Sequence, residues 1–200
     1  MATYSSELET ALRKYIDSYG EEGRDRLREL LKNTSVGNRY GLLINVRGVF
    51  DTLTGLHCGA FANDVETTKY MLDNLSCDQK YDVVKIQENT KRTALHYAAV
   101  YGYTSIINYL LSDLSQQQKY DLLKIQDVYG NTALHRAASN KKVEAVQAII
   151  SSVSLPLLIQ LLNIKNKEGQ TVTDIRPELH DELPVLTRQG IVSLYSVNKT

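Results

Sequence analysis

Residues 93–99 read TALHYAA, and the same stretch recurs as TGLHCGA at 54–60 and TALHRAA at 132–138. Both intervals are 39 residues. A fixed period of this size marks stacked supersecondary units, each able to bury its apolar face only against its neighbours. Such an array presents a long surface and rarely a catalytic pocket, so the period directs attention to binding.

Other marks keep the same phase. An apolar pair recurs as Leu30-Leu31, Met71-Leu72, Leu110-Leu111 and Ile149-Ile150. Four residues later comes a serine (Ser35, Ser76, Ser115, Ser154), and five further on a large side chain (Tyr40, Tyr81, Tyr120, Ile159). These marks are spaced 41, 39 and 39 residues, so two extra residues lie within 41–53. They also extend the array back to the N-terminus, where no Thr-x-Leu-His is visible.

Two hundred residues with zero net charge and ordinary apolar content suit one compact array. Basic residues are scattered and matched by acids, which argues against a nucleic-acid groove. No run approaches the ~20 apolar residues of a membrane span. The opening MATYSSELETALRKY has no apolar h-region and does not read as a secretory signal. Two cysteines, Cys58 and Cys77, make no disulfide framework, and a reducing compartment is the simpler expectation.

Ser6 and Glu9 form a capping box that opens a first helix, with Leu8, Ala11, Leu12, Tyr15, Ile16 and Tyr19 on one face and Gly20 as the stop. A second helix runs to Lys32. Residues 1–45 therefore read as a degenerate capping repeat, 46–168 as three full repeats, and 169–200 as a C-terminal cap and tail, all within one array spanning 1–200. Each full repeat begins with a tip of turn residues: 47–51, 88–91, 127–130 and, entering the last cap, 166–169. The threonine N-caps a short helix. A turn follows at Ala62-Asn63, Tyr101-Gly102 and Asn140-Lys141, where Lys141 suits a left-handed backbone least. After the second helix, the serine starts a short third one. Ser76 with Gln79 and Ser115 with Gln118 are capping boxes.

The signature Thr-x-Leu-His-x-Ala-Ala, the Asp-x-x-Gly-x-Thr tip at 127–132 and Gly102 resemble the ankyrin repeat, well over 46–175 and weakly at the flanks. The usual proline after threonine is replaced by Gly55, Ala94 and Ala133. The repeat exceeds the family's ~33 residues, and the surplus lies in the serine-started helix. Thr171-Val172-Thr173-Asp174-Ile175 is a worn last copy with aspartate at the histidine position. The long variant at 110–138 is similar to ankyrin proteins that intracellular bacteria secrete into host cells. The resemblance implies an all-α, ankyrin-type helical solenoid with an extra short helix per repeat. It also implies a non-enzymatic, monomeric module that binds a protein partner through its tips and concave helix face, without cofactor, nucleic acid or membrane. The setting it suggests is a bacterial effector in host cytoplasm, with a cytosolic scaffold or enzyme inhibitor in its own cell, or an enzyme with an unrecognised site, as the alternatives.

His57, His96 and His135 invite a metal reading, which geometry opposes. Equivalent positions in neighbouring repeats sit ~8–10 Å apart, whereas zinc ligands lie at ~2.0–2.1 Å from one ion. In the resembled family this histidine hydrogen-bonds backbone near the tips. Cys58 beside His57 is no nucleophile–base pair, because adjacent helical residues point ~100° apart. No catalytic, cofactor or metal residue is therefore assigned.

Thirteen tyrosines stand against two phenylalanines and no tryptophan. Tyr81 and Tyr120 recur in phase and are expected in the core, as are Tyr15 and Tyr19 on their apolar face. Tyr101 and Tyr129, by the resemblance, occupy solvent-facing positions, and Phe50 and Phe61 join them. Tyrosine is a favoured interface anchor. The expected partner-binding set is Phe50, Phe61, Tyr101 and Tyr129, with polar support from Asn89, Arg92, Asn131, Ser139 and Asn140.

Overall fold

The computed structural model describes residues 6–46 and 53–178, and all regular structure among them is helical. Thirteen helices build three parallel rows. The first row contains α1 (Ser6–Asp17), α4 (Gly55–Phe61), α7 (Ala94–Tyr101), α10 (Ala133–Ser139) and α13 (Val172–Ile175). The second contains α2 (Arg24–Lys32), α5 (Val65–Leu72), α8 (Thr104–Leu111) and α11 (Val143–Ser151). The third contains α3 (Val36–Asn45), α6 (Cys77–Val84), α9 (Gln116–Leu123) and α12 (Leu155–Leu162). Each helix packs on the equivalent helix of the next repeat, and first-row helices also pack on second-row ones. The expected extra helix per repeat is thus present as a complete third layer.

The two-residue surplus is in α3. It runs ten residues after its serine, whereas α6, α9 and α12 run eight.

Helices α7 and α10 are short and alanine-rich because their neighbours crowd them. Ala94, Ala98, Ala99, Ala133, Ala137 and Ala138 are buried, with Leu95 and Leu134 between them. Truncating such a leucine costs about 2–5 kcal/mol through lost contacts and the cavity left behind. Gly55 replaces this alanine where Leu12 of α1 and Met71 of α5 close in. A Cβ there would meet Met71 Cε at 2.7 Å and Leu12 Cδ1 at 2.8 Å.

Helices α1 and α2 are joined to the next repeat by Asp64, the N-cap of α5, which accepts the Thr67 amide at 3.1 Å. The same buried carboxylate accepts the Tyr15 hydroxyl at 3.0 Å and pairs with Arg24 at 3.1 Å and Arg28 at 2.5 Å. Burial works to raise its pKa, but the Thr67 hydrogen bonds and Arg28 outweigh it and hold Asp64 below the usual carboxylate range.

Some local expectations are corrected. Ser6 is the first helical residue, so its carbonyl accepts the Thr10 hydroxyl and Glu9 turns to Arg13. Tyr15 is buried, but Tyr19 is exposed, because α1 stops at Asp17 and Tyr19 leaves the helical period with φ 53°. Tyr81 and Tyr120 are half-buried at the core's edge, each covered by the ammonium of a lysine four residues on, Lys85 or Lys124.

Candidate protein-binding face

The face is built on the threonine–histidine caps of the first row. Thr54, Thr93 and Thr132 are N-caps, and each histidine at the third helical position completes a capping box. The backbone amide of each threonine donates to histidine Nδ1, at 3.2 Å in His57, 3.1 Å in His96 and 3.4 Å in His135. Nε2 then donates to a carbonyl of the next tip: Arg92 at 3.1 Å, Asn131 at 3.2 Å and Gln170 at 3.2 Å. The rings are buried and use both nitrogens for structure. Burial holds His96 down to about 4, and lowers His135 as well.

Thr171 opens α13 in the same way, with Asp174 in the histidine's place. Its carboxylate accepts the Thr171 amide at 2.8 Å.

The tips repeat one hydrogen-bond plan. Glu88, Asp127 and Asn166 each accept two backbone amides of their own turn. Each turn closes by a backbone pair, Glu88 to Arg92, Asp127 to Asn131 and Asn166 to Gln170, all at 2.9 Å. Adjacent tips are joined by Val128 N–H to Thr90 O at 2.9 Å and Lys167 N–H to Tyr129 O at 3.1 Å. Lys91, Gly130 and Gly169 take the left-handed position in phase, with φ 59°, 76° and 77°.

At the far ends of the first-row helices the turns also stack. Asn63, Gly102 and Lys141 all have positive φ, at 53°, 82° and 56°, so the turn forces even Lys141 into this conformation. Along these turns runs a chain of aromatic rings. Tyr19 and Phe61 lie 5.8 Å apart between centroids, Phe61 and Tyr101 5.5 Å edge to face, and Tyr101 and Tyr103 5.5 Å stacked. Tyr97 meets Phe61 at 6.3 Å. Tyr19, Phe61, Tyr101 and Tyr129 are the exposed large apolar residues of the described chain, at 49%, 40%, 40% and 60% accessibility.

The structure therefore brings Phe61 and Tyr101 together. Tyr129 stands apart on the third tip, its ring 5.4 Å from the Arg136 guanidinium. Arg136 in turn clamps the buried Asp127 carboxylate, with Nε at 2.7 Å. Arg92 is half-buried between the Tyr97 ring at 5.8 Å and Asp127 at 3.7 Å. Asn131 accepts a hydrogen bond from Asn166 at 3.2 Å, so both are partly committed within the tips. Asn89, Ser139 and Asn140 are exposed, and the last two hydrogen-bond the Arg136 carbonyl. Phe50 and the tip at 47–51 lie outside the described residues.

Tyr97 and Arg136 were not among the expected binding residues. Their signal is positional: each follows the signature histidine, as Cys58 does, one period apart. Cys58 itself is buried, its thiol donates to the Ile16 carbonyl at 3.4 Å, and burial pushes it up to about 12. A thiol so placed is not a nucleophile.

Residues 21–122 and 86–157 match the family model for ankyrin repeats in three copies. The chain belongs to the ankyrin-repeat family. No curated protein matches it. Ankyrin arrays are protein–protein interaction modules, and no helix among the described residues is long and apolar enough to cross a membrane. The histidine caps and stacked tips are the ankyrin framework.

Proposed function

We propose that this ankyrin array binds a protein partner across its tips, first-row helices and adjoining turns. The observation that carries this reading is the exposed aromatic chain Tyr19–Phe61–Tyr101, continued by Tyr129 on the third tip. Exposed apolar clusters of this kind mark interfaces, and rigid aromatic side chains lose little entropy on binding. Phe50, Phe61, Tyr101 and Tyr129 act as anchors, with Asn89, Arg92, Asn131, Ser139 and Asn140 as polar contacts. The chain acts as a monomer, without enzymatic activity.

The long, three-helix repeat supports a setting in host cytoplasm, through its similarity to secreted ankyrin proteins of intracellular bacteria, and a host protein as the partner. Affinity capture from host lysate tests the binding reading, with a Tyr101→Ala/Tyr129→Ala control. A protein retained by the native array and lost from the control is expected, and equal retention by both contradicts the face. A translocation reporter fused to the chain tests the setting, and no transfer into host cells contradicts it.

A further inference from the structure

The turns of successive repeats are in direct contact and change character along the array. A Cβ on Gly20 would meet Ala62 Cβ at 2.9 Å, Phe61 touches Tyr101, and a Cβ on Gly102 would meet Lys142 Cδ at 2.9 Å. The row therefore runs from Glu21 and Glu22, the latter paired with Lys14 at 3.3 Å, through Phe61 and Tyr101, to Lys141 and Lys142.

The tip side ends with an excess of the same sign, three lysines against the exposed Glu168 beside Lys167. Lys91, Lys165 and Lys167 line an open cleft of about 410 Å3 between the last tips. The acid within that cleft, Asp127, is buried and already satisfied. Burial works to raise its pKa, but hydrogen bonds from Arg136 and the Tyr129 and Asn131 amides outweigh it and keep the carboxylate ionised. Helix α10, about 10 Å long at ~1.5 Å per residue, separates the two basic edges. The third repeat is thus flanked by lysines on both sides, although the whole chain carries no net charge.

We propose that the partner presents an extended segment with apolar anchors for Phe61 and Tyr101 and an acidic end that lies over the third repeat between Lys141-Lys142 and Lys167. This rests on the binding face proposed above and adds the partner's chemistry and direction. Complementary charge on such a row fixes register and excludes partners of the wrong sign.

The test is selection of a random peptide library, about twelve residues long, on the full chain. Selected peptides are then titrated against Lys141→Glu/Lys142→Glu, against Lys167→Glu alone and against Tyr101→Ala, with folding checked by circular dichroism. Enriched peptides should join aromatic or aliphatic residues to an Asp/Glu cluster at one end. They should weaken about ten-fold or more on the paired lysine change and measurably on Lys167→Glu, and lose most of their salt dependence. Absence of enrichment, enrichment without acidic bias, or affinity indifferent to both lysine variants overturns the inference. Peptides that need Tyr101 but carry no acidic cluster overturn only the charge assignment. Peptides indifferent to Tyr101→Ala overturn the binding face itself. A single-stranded oligonucleotide that displaces the selected peptides through the same lysines overturns the assignment to an acidic protein segment.

Discussion

His96 Nε2 lies 3.2 Å from the backbone carbonyl oxygen of Asn131, while its Nδ1 accepts the Thr93 amide at 3.1 Å. One imidazole therefore closes its own helix cap and holds the next repeat's tip. This explains why the residue repeats in phase with the tips. At Thr171 a carboxylate, Asp174, serves the cap in the histidine's place.

His96→Ala should cost about 2–4 kcal/mol, because it leaves buried partners unsatisfied on both sides. Asp174→Ala removes a cap alone and should cost about 0.5–2 kcal/mol. Urea unfolding of the two variants compares them, and equal losses would contradict the bridging role.

Stability should fall as pH drops from about 6.5 to about 4. Burial holds His96 down to about 4 in the folded state, against ~6.5 unfolded, so the unfolded chain binds more protons between those values. The loss across that window is roughly 3 kcal/mol for His96. His135, also lowered by burial, adds in the same direction. Asp64 and Asp127 act below this window, because their folded carboxyls are held under the ordinary range and lose their contribution only as pH falls further. Unfolding midpoints between pH 7.5 and 4 give the measurement, and a flat profile contradicts buried neutral histidines.

Gly130 and Lys91 occupy one position of the tip and should respond oppositely. A Cβ on Gly130 would meet Lys167 N at 2.6 Å, on a backbone with φ 76°. Gly130→Ala should destabilise by about 1–2 kcal/mol or more. Lys91 already holds φ 59°, so Lys91→Gly should relieve strain and stabilise by about 0.5–1 kcal/mol. Thermal unfolding reads both signs.

The third layer offers a contrast between serines. Ser115 accepts the Gln118 amide at 3.2 Å, and Ser115→Ala should cost about 0.5–2 kcal/mol. Ser154 makes no side-chain cap, and its amide donates to Gln116 Oε1 of the preceding repeat at 2.8 Å. Ser154→Ala should therefore change stability little, while Gln116→Ala destabilises. Equal losses at both serines would contradict this division.

The repeat, the three helices per unit and the in-phase threonine, Ser76 and Ser115 caps were legible in the sequence, because each is fixed by local spacing and recurs, while the histidine role was implied by the family resemblance. Tyr19 was misplaced because the helical period was continued past the actual stop at Asp17. Tyr81 and Tyr120 looked buried from phase alone, since recurrence marks equivalence and not depth. The Arg92–Asp127 pair and the Tyr19–Phe61–Tyr101 chain join different repeats, and no local pattern announces such contacts. Phe61 and Tyr101 are not even equivalent positions: Phe61 corresponds to Val100 and Tyr101 to Ala62.

The tip-and-turn face is the proposed binding surface, opposite in role to the third layer. The most direct test is the affinity of the captured partner for Tyr101→Ala/Tyr129→Ala and for Gln117→Ala, measured beside thermal unfolding. The tyrosine pair is exposed, and Gln117 is an exposed residue of α9. The double tyrosine variant should lose about 2 kcal/mol or more of binding with its unfolding temperature unchanged, and Gln117→Ala should bind as the native chain does. Unchanged affinity in the tyrosine variant, with loss at Gln117, would place the partner on the third layer and contradict the account.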